Sequence, residues 1–299
     1  MPAGKKEFVP SQGKQANVVF VTFGRLVPVI DLKKQQTTME LIDTHCHLDL
    51  QEYFEQVEVA LTSARAAGVG KIILPGVTQA GWKRLMDLCN KGPALGLFAA
   101  PGLHPLYLSR HYPHHLEELE ELVQRGGPVA IGEIGLDYYV ETVDRAAQQQ
   151  LFEQQLKIAT AAQLPVLLHV RKAHDQVLAT LRRKHFSHGG IVHAFNGSFQ
   201  QAGHYIKLGF GIGICGTITY DRARRIRQVA SQLPKESLVL ETDAPDIPPA
   251  KHWGENNHPQ YLPEILDALA ALRQEPKEMT ADYTSANAKR ILGLPDTTA

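Results

Sequence analysis

The sequence has no excess of charge, no paired cysteines and no apolar run long enough to cross a membrane. Lysine plus arginine number 31, and aspartate plus glutamate also number 31. The chain as a whole therefore offers no field for a polyanion, and any affinity for nucleic acid has to rest on local patches. The three cysteines, Cys46, Cys89 and Cys215, are odd in number and scattered, with no CxxC pair. That excludes a disulfide framework and suits a reducing compartment, so the chain is expected to be cytoplasmic. The longest apolar stretch, Val18 to Ile30, is interrupted by Arg25 and Pro28. It falls short of the roughly 18 consecutive residues a membrane helix needs. Glu7 stands where a signal peptide would be basic, so the stretch is read as no signal either. Residues 1–38 are mixed in character, and Met39 stands directly before the first strand-like run. They are expected to be an extension, poorly ordered or non-native, preceding a single domain over residues 39–299.

From residue 40 onward short β-rich runs alternate with helical spacing. The runs are Leu41–His47, Lys71–Val77, Gly96–His104, Pro128–Leu136, Pro165–Val170, Gly190–Phe195, Phe210–Cys215 and Ser237–Asp243. Between them lie helical stretches such as Phe54–Ala67, His114–Arg125, Asp144–Gln163, Ala173–His185, Ser198–Leu208 and Asp221–Gln232. Strands that are apolar throughout are buried on both faces, as in a parallel sheet covered by helices. Eight such units predict an α/β fold closed as a (β/α)8 TIM barrel, which leaves no exposed edge. Gln260–Arg273 and Ala281–Leu292 are read as closing C-terminal helices.

The first strand ends in Asp43-Thr44-His45-Cys46-His47. Successive side chains of a strand alternate faces, so His45 and His47 project to one side, as half of a metal site. In a chain with 14 histidines such a pair also arises by chance. The remaining strands decide between the two: Glu133, His169, His193 and Asp243 all fall near C-terminal strand ends. Those ends converge on one face of a barrel, where active sites are built. Four imidazoles and two carboxylates exceed what one tetrahedral ion needs and suit two divalent cations with one carboxylate bridging. Glu133 in a buried strand is costly unless it is paired or metal-bound.

Six segments together resemble the TatD family of metal-dependent hydrolases. They are Thr44-His45-Cys46-His47-Leu48-Asp49, Gly102-Leu103-His104-Pro105, Ile131 to Asp137, Leu168-His169-Val170-Arg171-Lys172-Ala173, His193-Ala194-Phe195-Asn196-Gly197-Ser198, and Leu240-Glu241-Thr242-Asp243-Ala244-Pro245. The resemblance runs from about Leu41 to Leu294 and implies an amidohydrolase-like barrel in a family that includes 3′–5′ deoxyribonucleases. It implies that His45, His47, Glu133 and Asp243 hold one metal and that Glu133, His169 and His193 hold the other. It also implies substrate contacts for His104 and Arg171, and a supporting or ligating role for Glu241. One stretch departs: Asn256-Asn257-His258-Pro259 stands where many members have Arg-Asn-Glu-Pro. This suggests a subgroup with its own substrate.

The expected chemistry is hydrolysis by water activated between cations, with Asp243 taking the proton and passing it on. Mixed imidazole and carboxylate ligands are compatible with zinc, manganese, cobalt or magnesium. Asp221-Arg222-Ala223-Arg224-Arg225-Ile226-Arg227 places four arginines after the seventh strand, with Arg222 nearest the mouth, where a guanidinium fork would suit phosphate. Arg182-Arg183-Lys184, at a helix end, is read as compensating the helix dipole. The expected substrate is a DNA end; small amides, esters or lactones are the alternative, and a non-catalytic metal-bound interaction protein is a third reading. No membrane association and no obligate protein partner are expected.

Overall fold

Eight parallel strands are what the alternating pattern builds in the computed structural model, which describes residues 40–50, 57–91 and 96–296. The expected extension over residues 1–38 lies outside the described residues, as does the start of the first expected helix. The strands are β1 Leu41–Asp43, β2 Val69–Pro75, β3 Leu97–Ala100, β4 Ile131–Asp137, β5 Val166–Arg171, β6 Gly190–Val192, β7 Phe210–Ile214 and β8 Leu238–Leu240. The helices are α1 Val57–Ala66, α2 Gln79–Asn90, α3 Pro113–Gln124, α4 Arg145–Ala162, α5 His174–Arg183, α6 Phe199–Lys207, α7 Arg224–Gln232, α8 Leu262–Arg273 and α9 Lys277–Leu292.

Every ladder is parallel, with order β1-β2-β3 in one arc and β4-β5-β6-β7-β8 in the other. Two seams join the arcs through backbone hydrogen bonds outside the regular ladders. At one, Val129 N–H donates to Ala99 O (2.9 Å) and Gly132 N–H to Pro101 O (3.1 Å). At the other, Thr44 N–H donates to Leu240 O (3.0 Å) and Asp243 N–H to His45 O (2.8 Å). The result is a (β/α)8 barrel whose ring passes through two irregular joints. Gly102 makes the first joint possible: a Cβ there would stand 2.6 Å from the Gly132 carbonyl carbon.

Burial follows the strand pattern. Ile42, Ile73, Ala100, Leu167, Ile191 and Val239 fill the barrel interior with side chains, while the opposite faces of the strands pack under the helices. Local signals set the helix ends. Asp144 caps α4 by accepting from Ala146 and Ala147 N–H (2.9 and 3.0 Å), a cap that contributes about 1 kcal/mol. Gln163 then turns left-handed at φ 55°, and Pro165 forces the chain extended into β5.

Two strands stop well short of the ends that the sequence suggests, β1 at Asp43, not His47, and β8 at Leu240, not Asp243, whereas β4 and β5 run one residue further, to Asp137 and Arg171. The residues just beyond β1 and β8 bond across a seam and so leave the ladder. Helix α2 was not expected; its Gly81 weakens helical patterning, and its stability comes from buried Trp82, Leu85 and Leu88. Helix α9 begins at Lys277, four residues before the expected Ala281.

Candidate metal centre

The C-terminal strand ends bring the expected donors onto one face. His45 and His47 follow β1, Glu133 lies within β4, His169 within β5, His193 directly after β6, and Glu241 and Asp243 after β8. Glu133 stands at the middle: its Oε2 is 3.2 Å from His45 Nε2 and 3.8 Å from His47 Nε2, and its Oε1 is 2.8 Å from His169 Nδ1. Asp243 Oδ1 is 3.6, 3.8 and 3.4 Å from His45, His47 and His193 Nε2. His45 and His193 rings stack at 3.5 Å.

Three donor sets emerge among the described residues: His45 with His47 and Asp243, His45 with His193 and Glu241, and His104 with Glu133 and His169. His104, expected as a substrate contact, thus stands among possible ligands, with Nε2 3.5 Å from Glu133 Oε1. Its Nδ1, however, accepts from Leu106 N–H, so the neutral ring carries its proton on Nε2 and turns a donor, not a ligand atom, toward the centre. The fit to metal is supported by polar atoms without hydrogen-bond partners: both nitrogens of His45, Nδ1 of His47 and of His193, and Oε2 of Glu241 are all buried. Unpartnered buried nitrogens and oxygens are costly unless an ion or water completes them.

Charge in the cluster is balanced by protons. Burial would raise the Glu133 and Asp243 carboxyls, but the imidazoles around them hold both below the usual range, Glu133 through His104 and His45, Asp243 through His193. Burial would lower His169, but its bonds to Asp137 and Glu133 push it up to about 9. Asp243 and Glu241 likewise raise His193 well above its ordinary value. Burial keeps His45 and His104 low, hence neutral. The raised His169 and His193 thus set positive charge against the carboxylates of the cluster.

Support for the ligands comes from residues that sequence reasoning did not assign. Asp137 Oδ2 accepts from His169 Nε2 at 3.0 Å, and Asp137 Oδ1 accepts from Tyr139 N–H at 2.9 Å. Asp43, pushed up to about 7 by burial, accepts from Thr242 Oγ1 (2.6 Å) and from Thr242 N–H (2.9 Å) across the β8/β1 seam. Both lay inside quoted motifs, and the cost of a carboxylate in an apolar strand applied to them as it did to Glu133. Glu241 Oε1 accepts from Ala194 N–H at 2.5 Å and lies 3.1 Å from His193 Nδ1. Ala194 is left-handed at φ 40°, a strained conformation for alanine that this bond helps to hold. Gly213 provides the space: a Cβ there would stand 2.5 Å from the Glu241 carboxylate.

Above the donors opens a cavity of about 530 Å³, lined by His47, Glu133, His169, Asp243, Asp246 and Arg171 among others. Arg171 stacks its guanidinium on the Tyr139 ring at 3.7 Å. Arg222 does not line this cavity; it lines a neighbouring hollow. Of the arginines beside it, Arg225 donates to Asn196 O and Arg227 to Ile218 O, so those two brace loops. Arg183 and Lys184 pair with Glu153 of α4. In the departing stretch Asn257 is fully buried; its Nδ2 donates to Thr242 O (2.7 Å), Asp246 O (2.9 Å) and Ile247 O (3.2 Å), tying down the loop after Asp243. His258 packs edge-on against Tyr261, and Asn256 is exposed.

Comparison with known proteins agrees with this geometry. The family model described as TatD related DNase matches residues 42–293. The chain is 41% identical over 257 residues to the metal-dependent hydrolase YjjV of Escherichia coli K12, covering 85% of this chain and 98% of that protein. It is 38% identical to a metal-dependent hydrolase of Haemophilus influenzae, covering 85% and 99%. The crystal structure of YJJV, a TatD homolog from E. coli K12, superposes with a TM-score of 0.83 at 40% identity, covering 86% of this chain and all of that one. A TatD family hydrolase of Entamoeba histolytica shares the fold, with a TM-score of 0.75 at 22% identity over 84% and 97% of the two chains. The chain belongs to the TatD family and is a metal-dependent hydrolase.

Proposed function

We propose that this hydrolase is a phosphodiesterase that removes nucleotides from the 3′ end of DNA with two divalent cations. The observation that carries the reading is the sharing of Glu133: one oxygen faces His45 and His47 while the other faces His169. A carboxylate shared in this way would suit a bridge between two cation positions. Glu133 with His45, His47 and Asp243 would hold one cation; Glu133 with His169 and His193 would hold the other. Cations bound there acidify water and polarise a phosphoryl or carbonyl oxygen. Zinc, manganese, cobalt and magnesium all suit the donor set, and nitrogen-rich ligation favours the first three.

The chain's own groups supply the rest. Asp243, kept ionised by its imidazole neighbours, accepts the proton of the attacking water and returns it to the leaving 3′ oxygen. Water adds to phosphorus, the P–O3′ bond breaks, and a nucleoside 5′-monophosphate and a shortened strand with a 3′ hydroxyl leave. Arg171, pre-oriented by Tyr139 at the rim, holds a phosphate oxygen. The three scattered cysteines, with no CxxC pair, support work in a reducing cytoplasm.

The test is release of nucleotides from single-stranded DNA labelled internally, by metal-stripped protein with each divalent ion restored in turn and Asp243→Asn as control. Ion-dependent shortening from the 3′ end, reduced about 10²–10⁴-fold in the variant, supports the reading. No shortening with both cation positions filled, together with turnover of a small ester or lactone, overturns it in favour of a carbonyl hydrolase.

A further inference from the structure

The two loops that floor the catalytic cavity continue past it. After β7 the chain makes a 3₁₀ turn, Gly216–Thr219, and beyond β8 it makes another, Ala250–His252. Ala250 N–H donates to Thr219 Oγ1 (2.8 Å) and Tyr220 OH donates to Pro248 O (2.9 Å), so the loops are laced side by side. Thr217 and Ile247 line the catalytic cavity. A few residues further along the same two loops, Thr219, Tyr220, Arg222, Ala250 and Trp253 line a second hollow of about 410 Å³.

Trp253 has 72% of its surface in water, the highest value among the exposed large hydrophobic residues described. The loop beneath it is anchored: His252 stacks flat on Tyr261 at 3.7 Å, and its Nε2 lies 2.9 Å from Glu264 Oε1. The indole therefore sits on a held loop and contributes little to packing. Arg222 makes no ion pair among the described residues and rests its guanidinium 5.3 Å from the centre of the Tyr220 ring. Asp221, the acidic residue in the hollow, is drawn toward Arg227 at 3.6 Å. An open aromatic face beside an unpaired arginine matches a stacked base and its adjoining phosphate. Stacking needs no particular base, because every base has a π-face.

We infer that this hollow is a subsite for single-stranded DNA, in which Trp253 stacks on a base and Arg222 holds a neighbouring phosphate of a strand whose 3′ end lies in the catalytic cavity. The inference rests on the nuclease reading and adds to it a requirement for an unpaired base upstream of the cut. A duplex end keeps that base stacked within itself and cannot use the indole.

The chain contains two tryptophans, and Trp82 is buried at 3% exposure, so solvent-exposed indole emission reports on Trp253. The experiment titrates the full-length, metal-loaded protein with a ten-nucleotide oligothymidylate while following emission. It also compares kcat/KM on that oligonucleotide with kcat/KM on the p-nitrophenyl ester of thymidine 5′-phosphate, which fills the cavity alone. The expected results are quenching of the exposed emission and, in Trp253→Ala, a fall of about tenfold in the oligonucleotide-to-ester ratio, carried by KM. Trp253→Phe should recover most of that ratio, and Arg222→Gln should flatten the salt dependence of KM. DNA cleavage without quenching, and with an unchanged ratio in Trp253→Ala, overturns the subsite and leaves the nuclease reading standing. No DNA cleavage, with or without quenching, overturns the nuclease reading and the substrate role of the hollow with it.

Discussion

Asp137 takes one nitrogen of His169 and leaves the other to Glu133: its Oδ2 is 3.0 Å from Nε2, while Glu133 Oε1 is 2.8 Å from Nδ1. The carboxylate thereby fixes both the ring orientation and the nitrogen offered to a cation. Partners of this kind raise ligand basicity and commonly govern metal affinity. Asp137→Asn should lower affinity for the second cation about 10–100-fold. Competition against a fluorescent chelator measures it, with far-UV circular dichroism unchanged; equal affinity in the variant would show that Asp137 only braces the Tyr139 turn.

Cation binding should release protons. In the metal-free protein His169 is protonated up to about 9 and His193 is raised well above its ordinary value, and both must be neutral to ligate. Apparent affinity should therefore rise with pH, about tenfold per unit for each proton displaced, and flatten above about 9. The fold alone shows the opposite trend. His169 is raised from 6.5 in the folded state, so its contribution to metal-free stability is complete below 6.5 and is lost as pH climbs through about 9. Calorimetric titration in two buffers of different ionisation enthalpy counts the protons; a count of zero at pH 7 would contradict the charge assignment.

Asn257 is the residue through which the departing stretch still reaches the centre. Asn257→Ala removes three donated bonds and leaves the carbonyls of Thr242, Asp246 and Ile247 short of partners in a buried loop. The expected cost is about 1–3 kcal/mol. A domain of this size then loses roughly 2–4 °C in Tm per kcal/mol. Activity should fall further than stability explains, because the same loop carries Asp243; an unchanged kcat in the folded variant would separate the two.

Gly213→Ala tests the space beneath Glu241. The added methyl would meet the carboxylate at 2.5 Å, driving it from Ala194 N–H and His193. Loss of cation binding with strand content retained is expected, read by metal analysis after gel filtration. Full metal occupancy would mean that Glu241 is dispensable.

Much of this was legible because metal chemistry and barrel geometry constrain the same positions. The pairing of His45 with His47 is readable from strand phase, His169 and Glu133 from the coincidence of donors at the C-terminal ends of several strands, and the eight β/α units announce the barrel. The ends of β1 and β8 were not readable, since Thr44 and Asp243 bond to residues about 200 positions away. Helix α2 hid behind Gly81, and tertiary burial of Trp82 overrode local propensity. Asp137 and Asp43 were in view but unassigned: a single sequence shows that a buried acid needs a partner, not which partner the fold delivers. Of the four arginines after β7 the sequence singles out Arg222 as nearest the mouth; it is exposed and lines a neighbouring hollow, while Arg225 and Arg227 serve loop carbonyls.

The split of the barrel into two arcs has a mechanical consequence. His45 and His47 stand on the arc of β1 to β3, whereas Glu133, His169, His193 and Asp243 stand on the arc of β4 to β8 or its end. A cation held by donors from both sets would rivet one arc to the other beside the β8/β1 joint, where Asp43 and Thr242 already clasp. The centre would thus act as a structural clip as well, and the amides of Thr44 and Asp243 should be the hydrogen-exchange sites slowed most when metal is added.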